Sequence, residues 1–391
     1  MPPKNPIKSL YYITHIDNIP SMIQHGILSH GSMESRKIDC TPIYDTGIVS
    51  NRKEKTTPSG TSLWEYANLY FQPRNPMMYR VIHEKTASEL AVVAINPKVL
   101  EMPDIYLTDG NAAHGNSLFY PVQEGLRVLK KQQKFLDAEY WNDWDGSKRK
   151  IMAECLIPQA IAPNFIHSVF IGTIKNRDKL EQQLLRHQIP VIVEPRMFFR
   201  PNFAQKIGKN ISLLRGDMFF SEMQTLTVSV NLEGVMGKGL ASRAKYQFPD
   251  VYVAYQDMCR SKRITESKPG LYKRESSLDE ELADQTEIPL KTPNADKWFM
   301  LFATKRRWRE NSRLDDIEAG LSWFTKNFEK EKITSVAFPA LGCGLGGLSW
   351  SVVGPLMCRH LHDIGIRVGI YLPQESDTPP EHLTETFLMQ F

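Results

Sequence analysis

Cysteine is scarce and scattered in this chain of 391 residues: Cys40, Cys155, Cys259, Cys343 and Cys358 are all of it, and no pair has CxxC spacing. The scatter argues against a structural zinc site and against a disulfide framework, so reduced thiols and no metal are expected. Long apolar runs are missing as well. Nothing approaches the ~18 residues that cross a bilayer, and the opening MPPKNPIKSLYYIT lacks the apolar core and small-residue cleavage site of a secretory signal. The expectation is a cytoplasmic protein with no membrane partner. Neither a GxxxxGK[ST] phosphate loop nor an internal repeat occurs.

What is present is a globular composition, 41% hydrophobic and 24% charged, in a chain about twice the length of one ordinary core. Two domains are predicted. The charge is uneven: residues 1–210 hold 26 Lys and Arg against 20 Asp and Glu, and the remainder holds 22 against 24. A basic first half suits a phosphate-backbone partner, since neutralised phosphates release condensed counterions.

The first half alternates irregularly. NIPSMIQHG reads as a short helix with Pro20 in its first turn and Gly26 as its left-handed stop. ELAVVAINP, HSVFIGT and PVIVEP read as buried strands. Residues 105–153 form a polar, aromatic stretch long enough to be a functional loop with some helix of its own. RMFFRPNFAQKIGKN, with Pro, Gly and basic residues, is the predicted boundary, giving domains 1–200 and 201–391. Beyond it, strand, glycine-rich loop and helix repeat, which predicts an α/β domain with a mostly parallel or mixed sheet flanked by helices. Ser312, before Asp315 and Asp316, is the expected helix start, and the charge-dense SKRITESKPGLYKRESSLDEELADQTE is expected to be a surface insertion.

Two glycine loops, Gly234-Val-Met-Gly237-Lys238-Gly239 and Gly342-Cys343-Gly344-Leu345-Gly346-Gly347, each fall between a predicted strand and a predicted helix. Glycines let successive backbone N–H groups turn toward phosphate oxygens at a helix N-terminus, and a pair of such loops calls for a diphosphate between two larger groups. RGDMF, VNLEGVMGKGLA and VAFPALGCGLGG together are very similar to macrodomains, and TKRRWRENSRLDDIEAGL resembles the DarG branch, which removes ADP-ribose from DNA. The resemblance implies that Asp217 binds the adenine amino group, that Asn231 lies by the distal ribose, that the two loops wrap the diphosphate of ADP-ribose, and that Lys305 is the catalytic lysine. An amine near the anomeric carbon acts as acid or nucleophile when neighbouring cations, here Arg306 and Arg307, lower its pKa. One departure is Val228-Ser229, where DarG relatives commonly carry Asn-Thr.

Residues 9–195 resemble DarT, an ADP-ribosyltransferase of α+β fold that modifies DNA, through YYITHIDNIPSMIQHGILSH, Asn51-Arg52, LYFQPRNPMMYRV, LTDGNAAHGNSLFYP and KRKIMAECLIP. Breaking the nicotinamide–ribose bond of NAD builds positive charge on the sugar, and a pre-placed carboxylate lowers that barrier. By the resemblance Glu154 is that carboxylate. Tyr12, Thr14, Asn18 and the backbone at Leu28 would hold the nicotinamide and its ribose, Arg52 would assist at the target base or diphosphate, and Tyr70 with Met78 would stack on the nicotinamide side. Tyr12 stands where DarT sequences usually carry His. Arg74, Arg80, His114, Lys148 and Arg149, with Trp141 and Trp144, are candidates for gripping single-stranded DNA, since aromatics among cations stack on unpaired bases while holding their backbone.

The resemblance therefore implies an NAD-dependent transferase acting on a base, thymidine first, in single-stranded DNA, fused to its own hydrolytic antidote so that no separate antitoxin is required. The alternatives are an attenuated transferase serving as an ADP-ribose or modified-DNA binding module, and an enzyme acting on RNA or protein.

Overall fold

In a computed structural model the residues described are 7–43, 51–84, 87–142, 145–274, 297–373 and 377–390. The chain separates into two compact units, one ending at Phe198 and the other beginning at Phe199.

The strands of the first unit are β1 (Leu10–His15), β2 (Ile27–Leu28), β3 (Tyr66–Tyr70), β4 (Leu90–Ile95), β5 (Tyr106–Thr108), β6 (Phe119–Pro121), β7 (Glu154–Pro158), β8 (Ala160–Ile161), β9 (Ile166–Ile171) and β10 (Val191–Val193). Eight of them form one sheet in the order β10-β9-β4-β1-β3-β7-β5-β6, antiparallel except for β10 on β9; β2 pairs with β8 separately. The β-branched run LAVVAI makes β4 a central strand buried at all six positions, as ELAVVAINP leads one to expect. Helix Ile19–His25 carries its proline in the first turn and stops at Gly26, whose φ of 81° is left-handed. The described residues of 105–153 are built rather than loose: the β5–β6 hairpin and helices Val122–Lys131 and Ser147–Ile151, followed by β7, which slots between β3 and β5.

The second unit holds β11 (Phe203–Ile207), β12 (Ile211–Arg215), β13 (Thr225–Val230), β14 (Gly270–Tyr272), β15 (Trp298–Ala303), β16 (Ser335–Pro339) and β17 (Arg367–Tyr371) in the order β11-β12-β17-β16-β13-β15-β14. The five inner strands are parallel and the two edges antiparallel. Alternate residues of β15 enter different cores: Met300 and Phe302 join one apolar cluster, and Phe299, Leu301 and Ala303 join another. Both sheet faces are thus covered, as a parallel sheet requires. Helices Leu314–Asn327 and Trp350–Leu361 supply side chains to the first cluster, and Gly239–Gln247 and Pro249–Arg260 supply them to the second.

The predicted boundary stretch, within which the two units divide, also holds sheet, since Phe203–Ile207 is an edge strand paired with β12. Two expectations are corrected. Part of the predicted insertion is sheet as well: Gly270–Tyr272 caps the edge beside β15, while residues 275–296 lie outside the described residues. Ser312 does not cap a helix; its N–H is drawn to the Gly346 carbonyl at 2.9 Å, and the helix begins at Leu314 behind Arg313, with Asp315 and Asp316 in its first turn.

Candidate active sites

In the first unit the site is built around the first residue of β7. Glu154 stands opposite Tyr70, the last residue of β3, and its side chain is fully buried. A carboxylate in that position must be paired. Its Oε1 accepts from the Ala112 N–H at 2.8 Å and its Oε2 from Arg52 Nη2 at 3.1 Å, with Arg52 Nη1 at 3.5 Å from Oε1. The Glu154 N–H donates to Thr108 Oγ1 at 3.0 Å, and that hydroxyl donates to the Gly110 carbonyl at 2.6 Å. Thr108 and the DGNAA turn that follows it therefore grip both ends of Glu154.

Burial works against the Arg52 charge, but the Glu154 carboxylate and its hydrogen bonds, with Tyr70 and Tyr12, more than offset it and raise the pKa. Burial, with the Cys40 thiol adding to it and Arg52 opposing, pushes the Tyr12 phenol up to about 12. Tyr70 is raised by burial and by Glu154. Both phenols are neutral donors at pH 7. His30 goes the other way, lowered to about 4 by burial and the Arg52 charge, and its ring stacks on Trp64 at 4.3 Å between centroids.

The other expected residues divide sharply. Thr14 Oγ1 accepts from Asn18 Nδ2 at 3.1 Å, and the Asn18 amide clasps the backbone of Thr41 at 2.9 and 2.8 Å, so this pair pins residue 41 beside the end of β1. Leu28 is buried in β2. Met78 is fully buried, as Glu154 is. Arg74 is committed to backbone: its Nε donates to the Arg196 carbonyl at 3.1 Å and its Nη1 to that of Glu139. Arg149 is committed to Asp109, at 2.7 and 3.1 Å, and to Ser117. Trp141 packs edge-on against Tyr79, and Trp144 lies outside the described residues. Arg80, His114 and Lys148 are half-buried, with His114 Nδ1 accepting from the Asn116 N–H at 3.1 Å. Sequence reasoning missed Thr108, Ala112 and His30, although the first two lie inside the LTDGNAAHGNSLFYP motif.

In the second unit both glycine loops leave the C-terminal ends of parallel strands, one after β13 and one after β16, and each runs into a helix N-terminus. Ligands of open α/β sheets bind at such strand ends. Left-handed glycines shape both turns, Gly234 and Gly239 in the first and Gly342 and Gly347 in the second. Asn231 is consumed by the first: its Nδ2 donates to the Val235 carbonyl at 2.6 Å and its Oδ1 accepts from the Glu233 N–H at 2.9 Å, while Tyr255 donates to its carbonyl at 2.7 Å. In the second, Gly346 is sterically required, because a Cβ there would sit 2.4 Å from the Gly342 carbonyl oxygen and 2.3 Å from Ser312 Oγ. Gly237 has no such restriction, its nearest neighbour being Val235 at 4.0 Å, and Gly239 faces Leu345.

Lys305 follows β15, and its Nζ donates to the Leu345 carbonyl of the second loop at 2.6 Å. The two arginines beside it are not bare cations: Arg306 binds Asp316 at 2.9 Å and Arg307 lies 3.9 Å from Glu310. The positive neighbourhood expected of Lys305 is therefore neutralised by carboxylates the linear pattern does not reveal. Asp217 accepts from the Phe219 N–H at 3.1 Å as a cap and pairs with Arg243, whose guanidinium lies over Phe219 and Phe220. Among the described residues, no group of three or more His, Cys, Asp or Glu is placed to hold a metal, and no helix is long and apolar enough to cross a membrane.

An arginine-held carboxylate on a strand of a mainly antiparallel sheet in one unit, and twin glycine turns at the strand ends of a mainly parallel sheet in the other, describe a transferase of ADP-ribose and a macrodomain. The family profile described as ssDNA thymidine ADP-ribosyltransferase, DarT, matches residues 11–199, and the macro domain profile matches residues 292–357. A DNA ADP-ribosyl transferase-DNA ADP-ribosyl glycohydrolase fusion protein of Thermosipho africanus is 51% identical over 383 residues, 98% of each chain. The structure of Thermosipho africanus DarTG in complex with ADP-ribose matches with a TM-score of 0.89 at 49% identity, covering 97% of this chain and 99% of that one. A DNA ADP-ribosyl glycohydrolase of Thermus aquaticus is 31% identical over 167 residues, 42% of each chain. The chain belongs to the DarTG family of DNA ADP-ribosyl transferase-DNA ADP-ribosyl glycohydrolase fusion proteins.

Proposed function

We propose that the first unit transfers ADP-ribose from NAD onto thymidine in single-stranded DNA and that the second unit hydrolyses the product. Glu154, fully buried and held by Arg52 and the Ala112 N–H, is the observation that carries the transferase half. As the nicotinamide–ribose bond lengthens, the sugar becomes an oxocarbenium ion, and a carboxylate already stripped of water stabilises it without reorganising. Nicotinamide leaves, the thymine base forms the new bond to the anomeric carbon, and the proton the base loses has the Glu154 carboxylate as the acceptor at hand. Tyr12 and Tyr70 stay protonated and serve as donors to the dinucleotide, with Thr14, Asn18 and Leu28 forming the adjoining wall. Arg52 orients the carboxylate and supplies positive charge for the diphosphate.

In the second unit the loops 234–239 and 342–347 cradle the diphosphate of ADP-ribose through backbone N–H groups, with Asp217 and Arg243 toward the adenine end. Lys305 delivers a proton or makes a transient bond as the ribose–base link opens, and water completes the cycle to free ADP-ribose and unmodified DNA. Placing both units on one chain keeps removal at high effective concentration near each fresh adduct, which makes a separate antitoxin unnecessary.

The experiment mixes the chain, its Glu154→Ala variant and its Lys305→Ala variant with NAD and a thymine-containing oligonucleotide, and weighs the DNA by mass spectrometry. An adduct that persists only with Lys305→Ala supports the full cycle. No adduct with any of them returns the chain to an ADP-ribose binding module, and adducts on RNA or protein alone reassign the acceptor.

A further inference from the structure

The segment after Lys305 carries more exposed chemistry than hydrolysis of a sugar bond requires. Residues 306–312 are stitched to the approach to the first glycine loop and to the second loop: the Leu232 N–H donates to the Arg306 carbonyl at 3.2 Å, the Trp308 N–H to the Glu233 carboxylate at 2.8 Å, and the Ser312 N–H to the Gly346 carbonyl at 2.9 Å. The strap therefore lies along the rim where the two loops meet. On it Trp308 is 50% exposed, with the Arg309 guanidinium 4.4 Å from its ring and the Arg307 side chain 74% exposed beside it. Leu345 and Val235, one from each glycine loop, are exposed apolar residues of the same rim.

Half of the indole is exposed. The Trp308 N–H is held by the Glu233 carboxylate and the strap is held again at Ser312 by the Gly346 carbonyl, so the ring is presented rather than loose. An aromatic ring among guanidinium groups fits a nucleobase with its flanking phosphates: the ring stacks on any base and the cations answer the backbone. The carboxylates nearby are occupied. Asp316 and Glu266 are paired with Arg306, Glu310 lies with Arg307, and Glu233 is capped by the Trp308 N–H.

We propose that Trp308, with the Arg309 guanidinium at its ring, is a base-stacking platform that binds the single-stranded DNA adjoining the ADP-ribosylated nucleotide, so that the second unit recognises polynucleotide as well as ADP-ribose. This rests on the hydrolase reading above. The platform selects substrate and does not touch the bond that breaks, so Trp308 is a specificity residue and not a catalytic one.

The test uses the full chain without NAD on two purified substrates, an ADP-ribosylated oligonucleotide and the ADP-ribosylated mononucleotide. Wild type is expected to show the lower KM on the oligonucleotide. Trp308→Ala raises that KM about ten-fold, the loss of one base–aromatic stack, and leaves kcat, the mononucleotide KM and the affinity for free ADP-ribose unchanged; Trp308→Phe restores most of the loss. Arg309→Gln, which does not depend on the indole for folding, makes the salt dependence of the oligonucleotide KM shallower by about one phosphate contact. Equal effects of Trp308→Ala on both substrates, no effect on either, or an unchanged salt slope in Arg309→Gln overturns the proposal. A wild-type chain that cleaves both substrates with the same KM also overturns it while leaving the hydrolase reading intact. A wild-type chain that cleaves neither sinks the hydrolase reading itself.

Discussion

Arg52 and Glu154 are 102 residues apart in the chain and meet through two guanidinium nitrogens, at 3.1 and 3.5 Å, around a carboxylate with no solvent exposure. The pair neutralises a charge that burial alone would expel, and it aims the carboxylate.

Glu154→Gln keeps the shape and removes the charge. Transfer onto an oligonucleotide falls by about 10²–10³-fold or more, the scale of losing a preorganised electrostatic group. Hydrolysis of a pre-formed adduct is untouched. The Arg52 charge, left without its partner, costs the first unit about 3 kcal/mol. Mass spectrometry of the DNA and a denaturation curve read the two effects separately.

Arg52→Lys retains a cation but loses the planar fork that reaches both carboxylate oxygens. Transferase kcat should fall by at least ten-fold with a smaller change in the KM for NAD. A variant as active as wild type contradicts the orienting role of the guanidinium.

His30 supplies a pH signature. Its folded pKa, lowered by burial and Arg52 to about 4, lies below the ordinary value of 6.5. The unfolded chain therefore binds the extra proton first, and stability is lost as pH falls from about 6.5 to 4, by on the order of 3 kcal/mol. Urea denaturation across that range should show the loss in wild type and a flatter profile in His30→Asn.

The two glycine loops are not equally demanding. Gly346→Ala places a Cβ 2.4 Å from the Gly342 carbonyl oxygen, whereas Gly237→Ala meets nothing nearer than Val235 at 4.0 Å. Calorimetric titration with ADP-ribose should therefore show affinity cut about a hundred-fold or lost in the first variant and within a few-fold of wild type in the second. The transferase activity of both should survive.

Arg149→Gln separates structure from DNA contact. Because the guanidinium closes the DGNAA turn onto Asp109 and Ser117, the substitution should lower transferase kcat and thermal stability. The salt dependence of single-stranded DNA binding should not change. A slope shallower by about one would return Arg149 to the DNA-contacting set.

The linear pattern was sufficient wherever the physics is local. A proline in the first turn and a glycine at the stop delimit helix Ile19–His25, a β-branched run makes β4, and glycines between strand and helix mark both loops of the second unit. The place of Glu154 at the head of an apolar strand was legible, whereas the role proposed for it comes from the resemblance of its surroundings to DarT.

Only the tertiary structure decided what the long polar side chains do. Arg149 reads as a bare cation until Asp109, forty positions away, closes on it; Arg74 reads the same way until the carbonyls of Glu139 and Arg196 accept from it. Arg306 and Arg307 look like cations bearing on Lys305 until Asp316 and Glu310 claim them. The reason is one of range. Backbone preference and strand or helix period are set by neighbours along the chain, whereas the partner of a flexible charged side chain is whichever opposite group folding brings within a few ångströms, and sequence separation holds no record of that distance.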